Sequence, residues 1–142
     1  MVGGKSAPPP LTSNPHYRSG RIIHQPLSGA PERYTAALDL VLYPARYEEF
    51  GIVILEAMAM GIPIVTSSAL GAAELLGEFS AELVIDAGRD SVEAYCARSS
   101  QLLESAGSAK NALGSALSER AREYSHGRHN ARLAALIESI GS

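Results

Sequence analysis

Residues 44–67 read PARYEEFGIVILEAMAMGIPIVTS, and the folding of this stretch decides the rest. From Phe50 to Ala73 the only charged residue is Glu56. Such a run has the length of a membrane span, but Gly61, Pro63, Ser67, Ser68 and Gly71 interrupt it. A helix over residues 52–60, a turn and a buried strand over residues 64–66 account for it better. Gly61 suits the left-handed position that closes a helix, and Pro63 bars continuation. Upstream, DLVLY (residues 39–43) is an apolar run ended by Pro44 and reads as a second buried strand. Working outward, residues 21–25 form a short apolar strand. Ser28, with Pro31 and Glu32 in the first turn, opens a helix to about Leu38. Residues 83–85 are a further strand, and helices are expected over 91–104, 109–124 and 129–140. Residues 1–20, rich in Gly, Pro, Ser and Asn, read as a disordered or severed lead-in, so the domain is expected to run from 21 to 142 without a further boundary.

Continuously apolar strands alternating with helices specify an α/β fold, a Rossmann-like parallel sheet flanked by helices. Ligands of such sheets lie at the carboxyl ends of the strands, here the loops after Tyr43 and Thr66. Glu48 sits in the first of these loops. Phe50-Gly51 feeds into the helix start, where free N–H groups and the positive dipole end can receive a phosphate. Glu56, among Ile, Leu, Ala and Met, is expected to be drawn out of water. A buried carboxylate needs hydrogen-bond donors, and a pair of sugar hydroxyls is one such set. Residue chemistry alone leaves two readings level: a grip for a sugar joined through diphosphate to a ribose, or a structural acid at 56 bonded to backbone or arginine with an exposed loop acid at 48.

The pair Glu48 and Glu56 stands in the setting P-x-R-Y-E-x-F-G followed by L-E-A-M-A, and this resembles the E-x7-E region of family 4 retaining glycosyltransferases. YTAALDLVLYP (residues 34–44) resembles the helix and strand that lead into that loop, and MGIPIVTS (60–67) the strand that follows. Leu70-Gly71-Ala72-Ala73-Glu74 is similar to the family's glycine-containing turn with a glutamate three residues on, and Asp90 to the aspartate that opens the next helix. The resemblance is strongest over residues 34–90. It implies the C-terminal, donor-binding half of a GT-B fold, with the first strand or strands and the acceptor-binding N-terminal domain missing. Carried over residue by residue, Glu48 would contact the donor sugar's hydroxyls as the catalytic carboxylate, and Glu56 the ribose. The backbone of Phe50 and Gly51 would lie beside sugar and diphosphate, with Glu74 shaping the loop. The implied reaction transfers a glycosyl group from a nucleotide diphosphate sugar to a hydroxyl acceptor, a glycan or small hydroxyl compound, with retention. No metal or other cofactor is implied, and the chain alone would be inactive without an acceptor domain or a separate subunit. Two alternatives keep the fold: a truncated, non-catalytic relative that binds a nucleotide or a protein, and an epimerase-like domain acting on the nucleotide sugar. Glu49 departs from the family pattern, placing a third carboxylate beside the diphosphate.

Composition sets outer limits. The net charge is −3 and no stretch concentrates Lys or Arg, which argues against nucleic acid or an anionic membrane as main partner. Met1 to Pro10 lacks the apolar core of a signal peptide, so a cytoplasmic or peripherally membrane-bound protein is expected. Val2-Gly3-Gly4-Lys5-Ser6 ends like a phosphate-binding loop, yet prolines follow where a helix should start. His126 and His129 are three apart but have no cysteine or acid partner fixed nearby, and read as a solvated face rather than a metal pair; His24 ends an apolar strand, where it could hydrogen-bond in a core. Cys96, the single cysteine, reads as a small buried thiol. Tyr34, Tyr43 and Tyr47 read as packing residues. Arg98, Arg120, Arg122, Arg128 and Arg132, interspersed with acids, read as a solvated helical surface. The early cations Lys5, Arg18 and Arg21 occupy no recognisable motif.

Overall fold

The computed structural model describes residues 2–3, 13–15, 25–26, 31–89 and 91–141. The chain divides into two compact units, Met1–Thr35 and Ala36–Ser142, the boundary falling inside the stretch read as continuous from residue 21. In the first unit, strands β1 (Val2–Gly3) and β2 (Gln25–Pro26) pair in parallel, and helix α1 spans Pro31–Thr35. Most of the expected 21–25 strand and the opening of the 28–38 helix lie outside the described residues.

The second unit runs β3 (Val41–Tyr43), α2 (Ile52–Ala59), β4 (Ile64–Ser67), a 3-10 segment (Gly71–Phe79), α3 (Ser80–Leu83), β5 (Val84–Ile85), a short 3-10 turn (Ala87–Arg89), α4 (Val92–Glu104), α5 (Gly107–Arg122) and α6 (His126–Ile140). Its three strands form a parallel sheet in the order β3-β4-β5, with Val41 opposite Ile64, Tyr43 opposite Thr66, and Ser67 opposite Ile85. Parallel neighbours require crossovers, and α2 supplies the one between β3 and β4. This is the α/β arrangement that the alternating apolar runs predict.

Burial within the sheet follows position. All four residues of β4, the middle strand, are buried. β3 is not the fully buried strand expected from DLVLY: it has a neighbour on one side only among the described residues, and Leu42 is exposed. The core is assembled from α2 (Ile54, Ala57, Met58), β4 (Ile64), α5 (Leu117) and the 3-10 segment (Leu76). Fully burying side chains of this size contributes about 1.5–3 kcal/mol each.

Helix α2 ends as its sequence demands. Gly61 adopts φ +69°, Gly61 N–H donates to the Met58 carbonyl (2.9 Å), and Ile62 N–H donates to the Ala57 carbonyl (2.9 Å). These two bonds make a Schellman closure, which a residue with a Cβ enters only with strain. The turn also packs on α5, where a Cβ on Gly114 would stand 2.4 Å from the Gly61 carbonyl oxygen. α4 opens at Ser91, whose hydroxyl accepts from Ala94 N–H at 3.1 Å; Asp90 lies outside the described residues.

Two surface expectations are corrected. Cys96 is exposed rather than buried, because α4 turns Tyr95 to the interior and its next residue falls on the outside. Arg120 is not merely solvated. Its guanidinium donates to the Leu75 carbonyl (3.2 Å), pairs with Glu123 (2.8 Å) and lies over the Tyr124 ring, pinning the 3-10 segment to α5. No helix among the described residues is long and apolar enough to cross a membrane.

Candidate functional site

Tyr43 closes β3. Its carbonyl accepts from the hydroxyl of buried Thr66 across the sheet (3.1 Å), and Pro44, with no N–H to offer a ladder, ends the strand. The loop of residues 44–51 therefore leaves from the carboxyl end of the sheet. Glu48 comes back toward the strand: it is half-buried, and its carboxylate accepts a hydrogen bond from the Tyr43 hydroxyl. The loop ends at Gly51, the residue before α2, in the left-handed region (φ 84°, ψ 60°). A Cβ there would stand 3.1 Å from Leu70 Cδ2 and 3.8 Å from Tyr43 Cε1, so both backbone and neighbours call for glycine.

The start of α2 is open. No side chain caps it and its first turn contains no acid. The Ile54 N–H already donates to the Gly51 carbonyl (3.0 Å), while those of Ile52 and Val53 precede any acceptor within the helix and carry the positive end of its dipole. The Glu49–Phe50 backbone is clamped from β4's side: Ala72 N–H donates to the Phe50 carbonyl at 2.8 Å, and a Cβ on Gly71 would stand 2.8 Å from the Glu49 carbonyl oxygen. This gives the Leu70–Glu74 turn a structural function, holding the loop that bears Glu48. Glu49 itself is exposed.

Glu56 departs from expectation. It is exposed, because α2 turns Ile54, Ala57 and Met58 inward and these three positions leave residue 56 on the outer face. The burial argument for a ligand at Glu56 therefore falls. What stands is position: four residues into α2, roughly 6 Å along the axis from Ile52, with no hydrogen bond or ion pair to its carboxylate among the described residues. Glu74 is exposed in the first turn of the 3-10 segment. Phe50 is exposed beside Gly51, and Tyr47, 83% exposed, does no packing of the kind expected for it. Tyr34 is likewise exposed.

One residue escaped the sequence reading. Arg46 lines a crevice of about 330 Å³ with Ser67, Ala69 and Ala87, at the carboxyl ends of β4 and β5. Its guanidinium makes no hydrogen bond or ion pair to any described residue. The early cations Lys5, Arg18 and Arg21 lie outside the described residues. The usable signal was in the quoted motif itself, an arginine two residues after the strand-ending proline.

An acceptor carboxylate, a helix start without a side-chain cap and an arginine with no partner among the described residues thus all belong to the segment that follows β3 at the carboxyl end of the parallel sheet. Of these, Arg46 lines the crevice. Residues 22–124 match the family described as glycosyl transferases group 1. The chain belongs to that family. Over 75 residues it is 36% identical to the lipopolysaccharide glucosyltransferase WaaG of Escherichia coli (strain K12), covering 53% of this chain and 18% of that protein. Over 72 residues it is 42% identical to the O-antigen chain mannosyltransferase B of Escherichia coli, covering 50% and 18%. Over 38 residues it is 55% identical to the uncharacterized glycosyltransferase MJ1607 of Methanocaldococcus jannaschii, covering 27% and 10%. These matches span less than a fifth of the length of each relative.

This group 1 glycosyltransferase chain has a second, larger cleft, about 530 Å³, at the opposite end of the sheet between the β3 and β4 entries and α5. Four charged residues line it, and two of them, Asp39 and Lys110, are paired with each other. Lys110 Nζ lies 2.8 Å from Asp39 Oδ1, and that hydrogen bond, reinforced by the ammonium charge, holds the Asp39 carboxyl below its ordinary value of 3.8. Open-sheet enzymes bind at the carboxyl end, so the smaller crevice beside Arg46 is the candidate site.

Proposed function

We propose that this chain binds a nucleotide diphosphate sugar at the carboxyl ends of β3 and β4 and forms the donor half of a retaining glycosyltransferase. The observation that carries this reading is the loop of residues 44–51. It holds the Glu48 carboxylate against Tyr43 and delivers the chain, through left-handed Gly51, into a helix start with no cap. An acceptor-only carboxylate suits sugar hydroxyls, and uncapped N–H groups suit phosphate oxygens. Their succession along one loop matches a ligand in which the two are covalently joined.

In this reading Glu48 holds the sugar's hydroxyls beside the reacting carbon. The N–H groups of Ile52 and Val53, the backbone of Phe50 and Gly51, and the Arg46 guanidinium face the diphosphate, and Glu56 meets the ribose. In the reaction the anomeric carbon's bond to the diphosphate oxygen breaks and the electron pair leaves with the diphosphate. A bond forms from the acceptor's hydroxyl oxygen to that carbon, and the hydroxyl proton passes to the departing diphosphate oxygen. Charge growing on the leaving diphosphate is met by fixed N–H dipoles and by Arg46, which need no reorganisation as the bond breaks. An acceptor-binding domain or subunit supplies the other wall, because one wall cannot hold two substrates in reacting geometry.

Hexose donors come first for testing, since relatives are named for glucosyl and mannosyl transfer. Calorimetric titration with UDP-glucose and GDP-mannose is expected to show binding that falls about 10-fold or more in Glu48→Gln and in Glu56→Gln, the loss of a hydrogen bond to a charged group. Parent and both variants binding alike would remove the two acids from the donor site.

A further inference from the structure

Tyr43 is fixed at both ends. Its backbone is paired opposite Thr66 in the sheet, and its carbonyl accepts from the Thr66 hydroxyl (3.1 Å), a side chain with no solvent exposure. Its ring reaches to Gly51, Cε1 standing 3.8 Å from the place a Cβ would occupy, and its hydroxyl donates to Oε2 of Glu48. One aromatic side chain therefore bonds the loop carboxylate and lies beside the entrance of α2.

We propose that Tyr43 is the positioning residue of the donor site, holding Oε2 of Glu48 so that Oε1 is presented to the hydroxyls of the donor sugar. The proposal rests on the donor-site reading above. A free glutamate has three side-chain torsions to order on binding, whereas Tyr43 has only two and its backbone is already held in the sheet. With Oε2 occupied by the phenol, the remaining oxygen has no partner among the described residues. It accepts and cannot donate, so it recognises a hydroxyl and repels a phosphate oxygen. The tyrosine thereby directs the sugar, and not the nucleotide, to this end of the loop.

Tyr43→Phe removes only the hydroxyl and keeps the ring beside Gly51. Affinity for UDP-glucose and GDP-mannose is expected to fall roughly 10-fold, with affinity for UDP and GDP unchanged, because Glu48 meets the sugar alone. Equal weakening of the sugar nucleotides and the bare nucleotides, or no weakening of either, would overturn the proposal. A readout without ligand accompanies it. Side-chain three-bond couplings of Glu48 should report one rotamer in the parent and rotamer averaging in Tyr43→Phe, and unchanged couplings would also overturn the proposal. Failure of the underlying reading shows differently: Glu48→Gln would then bind sugar nucleotides as the parent does, while the couplings still decide the part played by Tyr43.

Discussion

Gly114 offers a quantitative test of how this domain is packed. It lies in the middle of α5, where alanine would ordinarily stabilise a helix by about 1 kcal/mol. Here the new Cβ would stand 2.4 Å from the Gly61 carbonyl oxygen, against a floor of 3.0 Å for real contacts, so the helices must part by about 0.6 Å. Neither side can yield cheaply, since the obstacle is backbone belonging to the left-handed turn that closes α2. Moving α5 away also uncovers Leu117 and Ala121, which it lends to the core. Overpacking costs about 1–3 kcal/mol, and a backbone obstacle places this site at the upper end. After the helix-propensity gain, a net loss of about 2 kcal/mol remains, or a fall in Tm of about 10 °C for a unit of this size. Thermal unfolding followed by circular dichroism measures it. Gly107→Ala and Gly127→Ala are the controls, since open space surrounds both positions and each variant should match or slightly exceed the parent. A Gly114→Ala protein as stable as these controls would refute the close-contact argument.

Other perturbations follow from single contacts. Ser91→Ala removes the hydroxyl that accepts from Ala94 N–H and should cost about 1 kcal/mol in urea unfolding, with the midpoint lowered and the slope unchanged. Gly71→Ala places a Cβ 2.8 Å from the Glu49 carbonyl oxygen. It should displace the loop that bears Glu48 and weaken UDP-glucose binding roughly 10-fold, as expected for a misplaced charged hydrogen bond; calorimetry reads the change. Lys110→Ala should return the Asp39 carboxyl upward to its ordinary value of 3.8, visible by carboxyl NMR titration. Because the folded-state value of Asp39 is depressed, its pairing stabilises the protein above the ordinary carboxyl pKa and ceases to do so as pH falls through the lowered one. The difference between parent and Lys110→Ala should therefore be present at neutral pH, vanish in acid, and shrink with salt, since Asp39 is exposed.

Much of this fold is legible in local chemistry. Gly61 and Pro63 mark the end of α2 because a left-handed turn and a barred N–H leave few alternatives. The apolar runs at β3 and β4 specify parallel strands, and the rule on strand carboxyl ends puts Glu48 and Gly51 together. Elsewhere tertiary placement outweighs composition. IVILEAMA is apolar around nearly its whole circumference, so the sequence offers no way to tell which side faces inward, and Glu56 emerges outside. Cys96 sits beside a core tyrosine, yet one residue of helical rotation separates inside from outside. Leu42 is exposed because β3 has a single strand neighbour among the described residues, which the run DLVLY cannot announce. The Tyr43–Glu48 contact depends on a loop doubling back, and Arg46 on a crevice built from three separate segments, so neither follows from spacing.

The central claim concerns where a sugar nucleotide lands, and backbone amide NMR during titration with UDP-glucose and GDP-mannose locates it directly. The account predicts that the largest shift changes fall on residues 46–56, with Gly51, Ile52 and Val53 foremost. Largest changes around Asp39, Lys110 and Gly114, at the opposite end of the sheet, would contradict it.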